Sequence, residues 1–312
     1  MMKVWMRVGG VAFALLILSP TAGPGAVEAQ GPAGRWPLQP GSIENRIVAP
    51  MMEGWYANED GTYSFSFGYL NLNQDVVEIP LGENNFIEPV EFDGMQPTTF
   101  HPGRNRGVFA ITIPNALGDQ DFWWTLRHAN GQVTRVPGRT GAIAYELDWV
   151  PRPHGSVPPR VSFDADGDEG RGPPGIVAER TVTTSVGSPV TLLVNARDIS
   201  ERDPDDFRFW EGLPINMVWS KHQGPVGGEV EFTRHESTPV QESDVDDDDD
   251  DAPAPNTIQL LEGEGVAQVY ATFFAPGEYL LRVQADSFSA PDSGTQDQCC
   301  WTNGYVRVSV TP

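Results

Sequence analysis

The chain has 312 residues and a formal net charge of -23, with 43 acidic against 20 basic side chains. Such a balance excludes nucleic acid and anionic lipid surfaces as natural partners, while it attracts divalent cations. Thirty-three glycines and 28 prolines punctuate short runs of Val, Ile, Phe, Tyr and Trp, and no amphipathic helix of convincing length interrupts them. That is the pattern of an all-β chain with many turns.

In chain order, Lys3 and Arg7 precede the apolar run "VAFALLILS", and Val27, Glu28 and Ala29 present small residues where a signal peptidase reads. Residues 1–29 therefore read as a cleaved signal peptide. A retained signal-anchor is the competing reading. The apolar run is far short of the roughly 20 residues a membrane-spanning helix needs, so no membrane insertion is expected. Cleavage would remove Lys3, Arg7 and Glu28, leaving the mature chain one unit more acidic. With no Asn-x-Ser/Thr acceptor anywhere, a bacterial exported protein is expected. Residues 30–45 are too poor in apolar side chains to pack and read as a flexible leader.

Residues 46–150 form the first expected domain. In "GTYSFSFGYLNLN" Tyr63, Phe65, Phe67 and Tyr69 alternate with Ser64, Ser66 and Gly68, which places the aromatic set on one face of a strand. "RGVFAITIP" and "FWWTLRH" behave alike, and Asn130-Gly131 marks a tight hairpin turn. Strands at this spacing suggest an immunoglobulin-like sandwich. Trp123 and Trp124 are neighbours on one strand, so one faces the core and the other is either a stacking platform for a sugar ring or packing under a loop.

Residues 151–175 read as a Pro/Gly-rich linker that includes one strand, "RVSF", and the acidic turn "DADGDEG". Asp164, Asp166 and Asp168 open with the rhythm of a calcium loop, but Glu169 and Gly175 stand where a helix-loop-helix site needs glycine and glutamate. The second domain, 176–312, offers seven strand candidates from "PVTLLVNA" to "GYVRVSV", as a second sandwich requires. The expected fold is two immunoglobulin-like β-sandwiches in tandem.

The order "GSPVTLLVNARD", "VWSKHQGP", "ATFFAPGEYLLRVQAD" resembles the polycystic-kidney-disease-type and related immunoglobulin-like repeats of secreted proteins. The resemblance implies a core tryptophan at Trp219, a turn at Gly224 and Pro225, and a corner tyrosine at Tyr279. It covers roughly residues 176–311 and says almost nothing of function. Two departures are a poly-Asp insertion, 243–251, and an extended last loop carrying the chain's only cysteines, Cys299 and Cys300.

If the strands follow a variable-type order, the connections holding Asp198, Asp203, Asp205 and Asp206, the poly-Asp run, and Asp286, Asp292 and Asp297 emerge at one end. A calcium site there is the expected cofactor site, and a solvated acidic surface is the alternative. The adjacent cysteines leave three readings open: a vicinal disulfide, a bridge to another chain, or free thiols. With Trp301 beside it, a vicinal ring would give a stiff apolar contact surface at the loop tip.

Five scattered histidines show no metal spacing, and no nucleophile elbow or phosphate-cradling loop is present. The expected function is therefore an exported, non-catalytic binding or adhesion module, periplasmic, cell-surface or extracellular, with an extracellular protein or glycan as partner. The alternative is an accessory or catalytic component of a secreted carbohydrate- or peptide-degrading hydrolase. A deep carboxylate-lined cleft between the domains would favour it.

Overall fold

A computed structural model describes residues 47–147, 155–203, 205, 214–238, 254–287 and 300–312. The expected signal peptide and leader lie outside them. Among the described residues every named regular element is a strand apart from three short 3₁₀ turns.

The first sandwich pairs β1 (Val48–Ala57), β2 (Tyr63–Asn71), β6 (Gly103–Ile113) and β9 (Glu146–Leu147) in one sheet of order β6-β2-β1-β9. Its second sheet is β4 (Asn85–Glu88), β7 (Phe122–Arg127) and β8 (Val133–Gly138), with a separate ribbon of β3 (Val77–Glu78) and β5 (Thr99–Phe100). The period-two pattern in β2 works as the sequence suggests: Phe65, Phe67 and Tyr69 point into an aromatic core. There Phe109 stacks on Phe67 at 5.2 Å between ring centroids and meets Trp124 edge-on at 5.0 Å. The Asn130-Gly131 turn joins β7 to β8 with Gly131 at φ 80°, a conformation glycine adopts at no steric cost.

The second sandwich packs the sheet β10-β13-β17-β15 against a six-stranded sheet. The first sheet contains β10 (Arg160–Ser162), β13 (Val190–Arg197), β17 (Glu264–Phe273) and β15 (Val230–Arg234). The six-stranded sheet runs β11 (Ile176–Val177), β19 (Trp301–Thr311), β18 (Gly277–Asp286), β14 (Ile215–Gln223), β16 (Thr257–Leu260), with β12 (Val182–Ser185) parallel to β19. All seven expected strands form. Trp219 is fully buried in the core, and the Tyr279 hydroxyl donates to the Ala275 carbonyl four residues upstream at 2.8 Å, the corner tyrosine of immunoglobulin-like sandwiches.

The expected linker differs from the structure in its described part, 155–175. β10 is an edge strand of the second sandwich, Val161 is wholly buried in its core, and Thr302 Oγ1 donates to Pro159 O. The strand "RVSF" forms where the sequence places it; what differs is its membership, because its backbone is satisfied by β13 and the segment around it by side chains of β19.

The face of β2 opposite the core is also covered: Ser64 and Ser66 are buried. The two sandwiches lie side by side, with the β6 edge of the first against the outer face of β18 and β19 of the second. Trp301 Nε1 reaches Gly107 O at 3.4 Å, Asn303 Nδ2 reaches the same oxygen at 2.8 Å, and Tyr305 OH donates to Val108 O at 2.8 Å. Gly107, at φ 49°, admits the indole: a Cβ there would fall 2.3 Å from Trp301 Cζ2. Gly107→Ala is expected to destabilise the protein by about 3 kcal/mol through overpacking and left-handed strain together. Gly61→Ala, at φ 82° with open space around it, should cost only about 1 kcal/mol. Equal losses in urea melts would contradict this account of the interface.

Candidate functional site

The acidic residues come first. Asp164, Asp166 and Asp168 are exposed on the turn after β10. Glu169 beside them forms a two-pronged ion pair with Arg197, at 2.8 and 2.7 Å, and its carboxyl is held below the usual range mainly by that hydrogen bonding. Asp198 is taken up locally: one oxygen accepts Ser200 N at 3.0 Å and the other meets Arg202 at 2.6 Å. Asp203 accepts the Asp205 N–H at 2.9 Å. Asp286 ends β18, 3.5 Å from Gln284 Nε2. Among the described residues no three His, Cys, Asp or Glu side chains gather as metal ligands. Asp206, Asp292, Asp297 and the poly-Asp run lie outside those residues.

Strand register does bring the connections together. β13 and β15 are both antiparallel to β17 and so end at the same end of the sandwich. β14 begins there and β18 ends there, because Asn216 pairs with Asp286 and Asp286 with Trp301. The chains that leave β13, β15 and β18 all depart from that end.

Cys300 sits at the base of the last of these connections. It is fully buried and disulfide-bonded, its carbonyl accepts Ser287 N at 3.0 Å, and its φ of 103° is the one positive value for a non-glycine among the described residues. Cys299, the chain's other cysteine, lies outside them.

The three candidate platform tryptophans are placed otherwise than a sugar-binding surface needs. Trp124 is fully buried, its indole N–H donating to Asn85 Oδ1 at 3.0 Å. Trp301 is 2 % exposed and forms an interdomain wedge, not a knob at a loop tip. The correction has a simple cause: Trp301 occupies the outward face of β19, and the first sandwich covers that face. Trp123 does point outward, but the Arg135 guanidinium lies over its ring at 3.7 Å and occupies the stacking position.

A second site, between the sandwiches, is absent from any motif in the sequence. The outward-facing row of the six-stranded sheet places Ser220, Arg282 and Tyr305 side by side, with Gln284 and Asn303 one row on. These meet Tyr69, Thr99 of β5 and His101 of the first sandwich around a cavity of about 220 Å³, the volume of several waters. A wider groove, about 730 Å³, shares Thr99, His101, Ser220, Lys221 and Asn256 with it and leads outward. At their junction Lys221 Nζ donates to Glu78 Oε1 and to Gly228 O, while Gly227 N–H binds Glu78 Oε2 at 2.6 Å.

The walls are strongly fixed. Gln223 Nε2 donates to Gly94 O and Gln96 O, both at 2.8 Å, and His222 Nε2 donates to Met95 O at 2.8 Å. Burial dominates the titrations. It pushes the His222 imidazolium down to about 3 and Tyr69 up to about 12, and it raises Tyr305. His101 is lowered by burial first and then by Arg282 and Lys221. Arg282, also lowered by burial, is held by Asn303 Oδ1 at 2.9 Å and Gln284 Oε1 at 2.8 Å. Among the described residues no carboxylate lines the inner cavity. The one sequence signal was an arginine inside the apolar strand "YLLRVQAD", with Lys221 as the only lysine beyond Lys3.

No protein-family model matches the chain, and no curated protein does. Solved structures similar to parts of it include the D00-D0 domain of intimin, 11 % identical over 84 % of this chain and 99 % of that one, TM-score 0.25. Others are domains 4 and 5 of the S-layer protein SbsC, 10 % identical over 61 % of this chain and 65 % of that one, TM-score 0.20, and the Yersinia pseudotuberculosis adhesin InvE, 12 % identical over 86 % and 59 %, TM-score 0.19. At these scores the likenesses carry no argument about activity. The immunoglobulin-like assignment rests on the sheets, Trp219 and Tyr279.

Two outcomes follow from this geometry. Because the folded pKa of His222 is depressed below its unfolded value near 6.5, stability is complete above that pH and declines as pH falls towards 3, by roughly 1 kcal/mol per unit. His222→Gln should start less stable but show a shallower loss between pH 7.5 and 5; parallel curves would show that His222 is not the titrating group. Asn303→Ala removes three buried hydrogen bonds at once, leaving Gly107 O only the longer contact from Trp301, Arg282 only Gln284, and Pro173 O without the amide, and a loss of about 3 kcal/mol in denaturant melts is expected. A loss within about 0.5 kcal/mol, the scale of a neutral surface change, would remove Asn303 from its central place.

Proposed function

We propose that the chain is an exported, non-catalytic binding module that engages an extracellular protein through the acidic end of its second sandwich. The observation that supports this reading is the strand register. It gathers at one end the departures of the three connections that carry Asp198 to Asp206, the poly-Asp run, and Asp292 and Asp297. A body braced by two sandwiches holds that end rigidly, and a dense negative field steers a cationic protein surface towards it. A protein partner is favoured over a glycan because Trp124 and Trp301 are buried and Trp123 carries Arg135 on its ring.

The hydrolase alternative gains no support from the cleft. Its inner cavity is lined by Arg282, His101 and neutral donors, and Glu78 at its mouth is committed to Lys221 and Gly227. A relation of the second sandwich to the polycystic-kidney-disease-type repeats is part of the proposal, resting on the buried Trp219, the corner Tyr279 and the "GPV" turn at Gly224 and Pro225.

Calcium enters as a bridge between acidic loop and partner, with Asp203, Asp205 and Asp206 as the residues to neutralise. Thermal melts of residues 30–312 with calcium and then with chelator, at fixed ionic strength, should differ by several degrees. The triple variant Asp203→Asn, Asp205→Asn, Asp206→Asn should lose that difference and should also lose capture of exported proteins from the same organism. An undiminished calcium shift would locate the ion elsewhere, and undiminished capture would sink the acidic-end reading itself.

A further inference from the structure

We propose that the cavity between the two sandwiches is a binding site for a small oxyanion, a ligand separate from the partner of the acidic end. Three donors with spare capacity, on Arg282, Tyr69 and His101, converge on it, and Lys221, already paired with Glu78, adds its charge at the rim. The Arg282 side chain is 8 % exposed and lines the cavity; it spends one N–H on Asn303 and one on Gln284, of the five a guanidinium carries. Among the described residues it has no carboxylate within ion-pair distance; Asp286 acts on its charge from further off and is linked to it by hydrogen bonds through Gln284. A charge so buried is costly unless something opposite in sign lies against it.

The other donors point to the same chemistry. The Tyr69 hydroxyl accepts the His101 N–H at 3.0 Å, so its own proton is left to donate. His101 Nε2 is buried with no hydrogen-bond partner among the described residues. Lys221 stands at the junction with the outer groove. In a chain of net charge -23, cationic and neutral donors are concentrated where, among the described residues, no aspartate or glutamate lines the wall. A planar or tetrahedral group of anionic oxygens satisfies a guanidinium, an imidazole N–H and a phenol together, and charge-assisted bonds of this kind are about twice as strong as neutral ones. At about 220 Å³ the cavity fits an inorganic oxyanion or a short carboxylate and excludes a nucleotide or an oligosaccharide. The shared Thr99, Ser220 and Asn256 walls make the outer groove its entry path.

Isothermal titration of residues 30–312 with malonate, phosphate and sulfate, each against chloride at equal ionic strength, tests the assignment. Saturable binding of at least one, in or below the millimolar range, is expected, and the arms separate a carboxylate ligand from phosphate or sulfate. Tyr69→Phe and His101→Leu each remove one donor and should weaken that binding about tenfold, the scale of one lost charge-assisted hydrogen bond. Arg282→Gln should abolish it; where that variant fails to fold in circular dichroism, the two donor variants carry the test. No saturable heat with any of the three anions, or binding unchanged in both donor variants, would overturn the site and leave the donors to solvent.

Discussion

The side-chain amide of Asn303 ties together parts of the chain that are far apart in sequence. Its two N–H groups serve Gly107 O of the first sandwich and Pro173 O of the segment between the sandwiches, at 2.8 and 2.9 Å, and its oxygen receives Arg282 Nε at 2.9 Å. All three partners are buried, so the loss of the amide would remove hydrogen bonds from groups largely withdrawn from water. Close approach is a condition of this arrangement. A Cβ on Gly175 would stand 1.7 Å from Asn303 O, and one on Gly107 would enter the Trp301 ring. Two glycines and one asparagine thus fix how the sheets meet.

That contact changes the meaning of a whole sheet face. In an isolated sandwich the outer row of β18 and β19 would be solvated, and Arg282, Tyr305 and Trp301 would read as surface residues. Here they are buried beneath a second domain: Trp301 and Tyr305 donate to its backbone, while Arg282 is held by Asn303 and Gln284 of its own sheet. The interface is polar and aromatic, which suits two sheets that fold with their own apolar cores and then dock by satisfying specific groups. It also sorts charge. Cations are drawn inward to the seam while acidic side chains occupy the loops at one end, so one molecule offers two chemically opposite surfaces.

Much of the fold was legible in the residues. Alternation in β2, the Asn130-Gly131 turn and the seven strands of the second sandwich follow from period and turn chemistry alone. Trp219 and Tyr279 were readable because an immunoglobulin-like core needs those shapes at those places. Three things were not. The strand "RVSF" is legible but its place in the core of the second sandwich is not, Trp301 is turned from loop tip to wedge, and the cavity draws its walls from β2, the β5-β6 corner, β14 and β18, which no spacing rule connects.

By itself the sequence determined the fold class, the positions of most strands and the strong acidity, since each depends on neighbours within a few residues or on composition. Only the tertiary structure decided which outward faces are covered and which donors share a cavity. Strand alternation states that a side chain leaves the sheet on one side or the other. It does not state what waits there, because that is set by contacts between residues nearly 200 positions apart, such as Gly107 with Asn303.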